Sequence, residues 1–175
     1  MTKFKIIACF NRKRALGKDN GLLYNIRNDL HNFRSQTLGN VIIMGRSTFE
    51  SLPNGEPLKD RINIVITSNE EFCVNESFTN VYIVHSIKDA VELCEAMFED
   101  KEVFVIGGGS IYKQFLDENL VDEMRLTVVN DDADGDVFFP EYNEEEWYVY
   151  YKSMAQVSSY ENVDKSFYYM ILKKK

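Results

Sequence analysis

Val103-Phe104-Val105-Ile106 runs straight into Gly107-Gly108-Gly109, and the next apolar residues, Ile111, Phe115 and Leu116, fall at helical spacing. Four apolar, mostly β-branched or aromatic residues predict a buried strand. A strand that breaks on glycine into a helix leaves free backbone N–H groups at a helix N-terminus, where phosphate binds. Glycine there lets a ligand, or another backbone, come closer than a Cβ would permit. The same triplet equally serves a tight strand-to-helix turn with no ligand. The pattern recurs at Ile42-Ile43-Met44-Gly45-Arg46-Ser47-Thr48-Phe49. Here Arg46 adds a guanidinium fork suited to phosphate, and Ser47 and Thr48 add hydroxyl donors. Two such turns in a small chain fit a ligand with several phosphates, such as a dinucleotide, although the spacing is not Gly-x-Gly-x-x-Gly.

A third polar cluster, Thr67-Ser68-Asn69, follows the apolar run Ile62–Thr67 and could cap a helix or hold another phosphate. Asp29 stands at the start of a helical pattern, where a carboxylate is ordinarily favoured by the helix dipole. Phe33 lies four residues on and shares its face. A carboxylate beside an apolar wall can accept two parallel N–H bonds from a flat heterocycle with an amidine-like edge. The wall also raises the acid's pKa.

The elements that must position these groups follow from periodicity. Strand-like runs occur at Phe4–Phe10, Val41–Met44, Ile62–Thr67, Val81–Val84, Val103–Ile106, Glu123–Val129, Trp147–Val157 and Ser166–Lys173. Helical patterns span Arg27–Leu38, with Leu30, Phe33, Thr37 and Leu38 on one stripe, and Ser86–Phe98, with Ser86 as its N-cap. Strands alternate with helices over the first two thirds, then strands follow strands. This predicts one α/β domain over residues 1–175, with a central mixed, mostly parallel sheet of about eight strands flanked by helices and antiparallel edge strands from the last third. The polar Asn11–Asn25 stretch, with Gly17 and Gly21, reads as a long loop at the carboxyl end of the first strand and a candidate lid.

At 175 residues, 45% hydrophobic and 27% charged, the chain has the composition of a globular domain. No apolar run approaches the roughly 20 residues of a membrane span, and the start has no signal-peptide pattern. Cys9, Cys73 and Cys94 form no Cys-x-x-Cys pair, which speaks against metal or disulfide use and for a reducing cytoplasm. His31 and His85 lack ligand-spaced partners. A net charge of −8 argues against a nucleic-acid surface and leaves any anionic ligand to a few placed arginines. Asp131-Asp132, Glu144-Glu145-Glu146 and Lys173-Lys174-Lys175 read as solvated turns and a solvated end.

Taken together, the chain resembles dihydrofolate reductases. The resemblance spans nearly the whole length and rests on Gly17, Asp29-Leu30-x-x-Phe33, Ile43-Met44-Gly45-Arg46-x-Thr48-Phe49-Glu50-Ser51-Leu52, Arg61-x-Asn63-Ile64-Val65, Ile106-Gly107-Gly108-Gly109-x-x-Tyr112 and Gly135-Asp136-x-x-Phe139-Pro140. It implies reduction of 7,8-dihydrofolate by NADPH in one-carbon metabolism, by a cytoplasmic protein whose simplest assembly is a monomer, and which antifolates would inhibit. It implies that Asp29 binds the pterin and promotes protonation at N5, with Tyr24 and Leu22 completing the catalytic set. Substrate would lie against Ile7, Ala8, Phe33, Leu52, Leu58, Ile106 and Thr127. Arg61 would pair with the α-carboxylate of the glutamate tail, and Arg34 and Gln36 would lie near the tail's path. Cofactor would lie along Ala8, Leu16, Gly17, Gly45, Arg46, Ser47, Thr48, Thr67, Ser68, Ile106, Gly107, Gly108, Gly109, Ser110, Ile111 and Tyr112. No metal is implied, and the Gly107–Gly108 peptide is expected to be cis.

Two positions depart from the family pattern. Leu23-Tyr24 replaces a Pro-Trp pair, so the loop loses a stiffener and gains a hydroxyl. Neutral Ser110 stands where many members carry a basic residue near the cofactor's 2′-phosphate. Two other readings use the same glycine turns. A pyrimidine reductase of riboflavin synthesis has no need of Arg61, and a module that binds without turnover has no need of Asp29 or Gly17.

Overall fold

A computed structural model describes residues 1–160 and 163–175. The chain runs β1 (Phe4–Asn11), β2 (Ala15–Lys18), β3 (Gly21–Leu22), α1 (Arg27–Thr37), β4 (Val41–Gly45), α2 (Arg46–Glu50), β5 (Ile62–Ile66), β6 (Val81–Val84), α3 (Ile87–Met97), β7 (Val103–Gly107), α4 (Gly109–Asp117), β8 (Val121–Val129), β9 (Val137–Phe138), β10 (Trp147–Lys152), β11 (Gln156–Tyr160) and β12 (Val163–Lys174). Among the described residues, nine strands form one sheet in the order β10-β12-β8-β1-β7-β4-β5-β6, with β11 also paired to β12. The central pairings of β1, β4, β5, β6, β7 and β8 are parallel, and β10, β11 and β12 pair antiparallel. The central strands are covered on both faces, which is why they read as unbroken apolar runs. Phe4, Ile6, Ala8 and Phe10 of β1 pack with α3 and α4, while Ile7 turns to the opposite face with Met44, Phe49 and Phe104.

The structure corrects several expectations. The run Trp147–Val157 is two strands, because the chain bends at Ser153. Its N–H donates to the Tyr169 carbonyl while its Oγ accepts from the Tyr169 N–H, both at 2.9 Å. The Asn11–Asn25 stretch is largely built rather than looped. Asp19 and Asn20 have φ of 52° and 61°, a two-residue turn of the hairpin-forming kind between paired Lys18 and Gly21. β9 then adds to β2, making a three-stranded sheet of β3, β2 and β9. Lys174 is no free tail residue: it pairs with Glu146 at 3.2 Å and lies over the Trp147 ring. Ser86 caps α3 as expected, accepting from the Asp89 N–H at 3.0 Å. Among the described residues, no helix is long and apolar enough to cross a membrane.

Candidate active site

The order of strands reverses around β1. The chain steps from β1 through α1 to β4 on one side, and later from β7 through α4 across to β8 on the other. In open sheets of this kind ligands bind beyond the carboxyl ends of the strands at such a reversal. Asp29, Gly45, Gly107 and Thr127 all lie at those ends.

Asp29 is in the first turn of α1 and is half-buried. Thr127 on β8 donates its hydroxyl to Asp29 Oδ1 at 2.5 Å. Burial lifts the carboxyl above its ordinary value, and hydrogen bonds from Thr127 and Cys9 pull it part of the way back. Cys9 was not foreseen as a site residue. Register explains its place, since Cys9 pairs with Thr127 across β1 and β8. Burial first, and then the charge of Asp29, keep its thiol protonated and able to donate. Beside the carboxylate, Ile7, Phe33, Leu52, Leu58 and Ile106 pack into one apolar cluster with Met44, Phe49 and Phe104. The wall expected next to Asp29 is therefore present. Its price is that the α1 stripe is not a core seam: within α1 only Thr37 is buried, and Leu30 and Leu38 are 40% and 46% exposed.

Arg61 stands at the far end of this wall. It is 9% exposed, donates from Nε to the Lys59 carbonyl at 2.9 Å and from Nη1 to Thr37 Oγ1 at 3.3 Å. It makes no ion pair among the described residues. Burial, and secondly Arg34, oppose its charge and lower its pKa. A buried guanidinium without an acid partner is costly unless an anion arrives to pair with it. Asn63, fully buried, braces the approach by accepting from the Leu58 N–H and donating to the Leu58 and Arg61 carbonyls. Arg34 is exposed nearby, while Gln36 is turned away to accept from Arg125.

The two glycine turns abut. Gly45 and Gly108 occupy the N-cap positions of α2 and α4, and neither helix has a side-chain cap bond. A Cβ on Gly108 would lie 3.5 Å from Thr48 Oγ1, and one on Gly45 would lie 3.1 Å from Ile111 Cγ1. The Gly107–Gly108 peptide is cis, as the resemblance implied, and Gly107 has φ of +123°, open only to glycine. A Cβ on Gly109 would strike the Phe138 carbonyl at 2.7 Å. Two adjoining, uncapped helix starts without side chains in the way fit the phosphates of a dinucleotide. Tyr112 and Ile111 are buried beneath the turn, where the Tyr112 hydroxyl donates to the Ile7 carbonyl at 2.8 Å. Arg46 and Ser47 are exposed at the start of α2; Arg46 donates to Glu50 at 2.8 Å and stacks on Phe72. Ser110 is exposed, its Oγ accepting from Gln114 at 3.1 Å. Thr67-Ser68-Asn69 caps no helix. Thr67 Oγ1 accepts from the Asn69 N–H and Asn69 Oδ1 from the Glu71 N–H, so the cluster shapes a turn and leaves Ser68 exposed.

The β2–β3 hairpin flanks this cleft. Leu16 is partly buried, Gly17 accepts from the Asp136 N–H at 2.9 Å, and Leu22 is 69% exposed at the hairpin's end. Asp131, expected to be solvated, is a junction. It accepts from Tyr24 Oη at 2.5 Å and from Lys165 Nζ at 2.9 Å. These bonds hold its carboxyl down to about 2. Buried Asn11 closes the junction, donating to Tyr24 Oη at 2.9 Å and to the Ala133 carbonyl at 2.8 Å. Tyr24→Phe keeps the ring and removes this link, and is expected to cost about 1 kcal/mol of stability at neutral pH for a partly exposed bond to a charged acceptor. Because Asp131 is depressed from 3.8 to about 2, its bonded carboxylate stabilises the fold above 3.8, and that contribution fades as pH falls toward 2. Urea midpoints of the two proteins should differ at neutral pH and converge at the acid end; a constant gap would place the effect elsewhere.

A family model described as dihydrofolate reductase matches residues 3–173. A dihydrofolate reductase of Staphylococcus haemolyticus is 37% identical over 145 residues, covering 83% of this chain and 81% of that protein. One of Staphylococcus aureus is 32% identical over 169 residues, covering 97% and 98%. The order of motifs, the paired glycine turns and the buried acid on its apolar wall agree with that match along almost the whole length. The chain belongs to the dihydrofolate reductase family.

Proposed function

We propose that this protein reduces 7,8-dihydrofolate to 5,6,7,8-tetrahydrofolate with NADPH, and that it does so as a cytoplasmic monomer. The observation that carries the reading is a half-buried Asp29 in the first turn of α1 and, bonded to Thr37 at the other end of that helix, a buried Arg61 that makes no ion pair among the described residues. A ligand with a donor-rich heterocycle and an anionic tail matches both ends.

Asp29 binds the pterin's 2-amino group and N3 and promotes protonation at N5, its raised pKa favouring proton uptake there. Thr127 and Cys9 hold that carboxyl in place. Ile7, Ala8, Phe33, Leu52, Leu58 and Ile106 flank the ring and benzoyl group and keep water out. Arg61, with Arg34 nearby, takes the α-carboxylate through its guanidinium fork. Gly45, Arg46, Ser47, Thr48, Thr67 and Ser68 would hold one part of NADPH. Gly107, Gly108, Gly109, Ser110, Ile111 and Tyr112 would hold another, and Ala8, Leu16, Gly17 and Ile106 would border its reactive ring. When bound, NADPH supplies the hydride. The protein's share is orientation and exclusion of water, with Leu22 and Tyr24 on the segment that closes over the cleft.

Loss of the near-ultraviolet absorbance of reduced nicotinamide, on mixing protein, NADPH and dihydrofolate, tests the reading; no dihydrofolate-dependent loss with NADPH or NADH would defeat it. Ser110→Arg adds a cation at the start of α4. It should raise the preference for NADPH over NADH by about 1–2 kcal/mol as a charge-assisted contact. An unchanged ratio of kcat/KM values would put the 2′-phosphate beyond that position.

A further inference from the structure

The helix that carries Asp29 and Phe33 is held to the sheet in an unusual way. A surface helix is ordinarily fixed by an apolar stripe, yet within α1 only Thr37 is buried, because Phe33 lines the cleft wall. Besides the packing of Phe33 and the Cys9–Asp29 hydrogen bond, three polar contacts hold it. Thr127 donates to Asp29, Arg125 Nη1 donates to Gln36 Oε1 at 2.6 Å, and Arg61 Nη1 donates to Thr37 Oγ1 at 3.3 Å. Thr127 and Arg125 are two apart on β8 and so share a face. Asp29 and Gln36 are seven apart on α1, about two turns, so they share a side of the helix. Two bonds at that spacing fix both the height and the rotation of α1.

Arg125 is itself held on two further sides. Its Nε donates to Glu123 Oε1 at 2.5 Å, and its guanidinium carbon lies 5.6 Å from the Phe104 ring centroid. Glu123 is 8% exposed and forms an ion pair with Arg125. A guanidinium with an ion pair behind it, a ring beneath it and an amide in front has little freedom to swing. Arg125, Glu123 and Gln36 all lie outside the motifs on which the resemblance rests.

We propose that Arg125 is a positioning residue for the reduction. Backed by Glu123 and acting through Gln36, it sets where α1 stands on the sheet, and so where Phe33 and Asp29 meet the substrate ring. This rests on the functional reading above. Without the link, α1 remains tied through Asp29–Thr127 and Thr37–Arg61 but loses the bond that fixes the rotation of its last turn. The substrate wall then loosens, while the cofactor turns on β4–α2 and β7–α4 are untouched.

Gln36→Met removes the acceptor but keeps the Arg125–Glu123 pair, so folding is not at stake; Gln36→Glu keeps an acceptor. Two readouts apply to both variants. One is hydrogen exchange of the α1 amides in the ligand-free protein. The other is KM for a 7,8-dihydropterin that lacks the glutamate tail, beside KM for NADPH. In Gln36→Met the α1 amides should exchange faster and the dihydropterin KM rise about tenfold, with the NADPH KM held within about twofold. Gln36→Glu should resemble the wild type in both. Unchanged exchange and KM in Gln36→Met would overturn the proposal. So would a KM effect seen only with substrate bearing the tail, which would make Gln36 a direct tail contact, or failure of Gln36→Glu to restore the α1 exchange. If the wild type showed no turnover at all, the functional reading would fall, while the exchange comparison would still decide whether Arg125 holds α1.

Discussion

Asp29→Asn is expected to lower hydride transfer at neutral pH by roughly 10²–10⁴-fold, the range that a positioned acid contributes, while leaving the fold at least as stable. Both parts follow from the surroundings of one carboxyl. Burial raises the Asp29 pKa, with Thr127 and Cys9 moderating the rise. The proton therefore stays on to higher pH than on an ordinary aspartate, and a step that needs it is fastest below the raised value and fades as pH climbs through it. Asparagine cannot supply that proton, so the variant should lose this pH dependence as well as the rate. The sign for stability is opposite. A raised pKa means that the ionised form is disfavoured in the fold, so above the ordinary value Asp29 costs stability rather than adding it. Asparagine carries no such cost and can still accept from Thr127 through its carbonyl oxygen. Single-turnover rates across pH, together with urea midpoints, check both parts. Wild-type-like turnover at neutral pH would remove Asp29 from the chemistry.

The second large effect is at Arg61. Arg61→Ala should raise KM for dihydrofolate about 10- to 100-fold, corresponding to a lost charge-assisted hydrogen-bond pair of about 1.5–3 kcal/mol, with little change in KM for NADPH. The guanidinium is buried, unpaired by acid and opposed by Arg34. Its removal takes away a poorly compensated charge together with its bonds to Thr37 and Lys59, two effects of opposite sign on the stability of the free protein. Arg61→Lys should recover only part of the affinity, because an ammonium cannot present two parallel donors to a carboxylate. A dihydropterin without the tail should respond far less than dihydrofolate, and only as far as loss of the Arg61–Thr37 bond loosens α1. A larger effect on NADPH than on dihydrofolate would mean that the tail binds elsewhere.

What local chemistry dictates was legible along the chain. Apolar β-branched runs that end on Gly45 and Gly107 specify buried strands opening into helix N-termini, since both the strand and the free N–H groups arise within a few consecutive residues. Asp29 and Phe33 share a helix face by spacing alone, and Ser86 capped its helix as read. Less was visible in the Asn11–Asn25 stretch, where the Asp19-Asn20 turn nucleates a hairpin that polarity disguised as a loop. Periodicity gave the stripe on α1 but not its uneven burial, with Thr37 buried and Phe33 on the cleft wall while Leu30 and Leu38 stay exposed, because a helix face lining a cleft and one lining a core carry the same residues.

By itself, then, the sequence determined the strands, the two glycine turns, the acid with its aromatic neighbour and the family. Tertiary structure alone decided which distant side chains govern them. Cys9 meets Asp29 because β1 and β8 pair in one register, and a shift of one residue would send Cys9 to the other face. Tyr24 meets Asp131 across 107 residues, and Arg125 meets Gln36 across 89. No periodicity within an element encodes such pairs, because each bond depends on two elements arriving at a common distance and rotation. The same cause makes a polar residue such as Asp131 look solvated in sequence and become a junction in the fold.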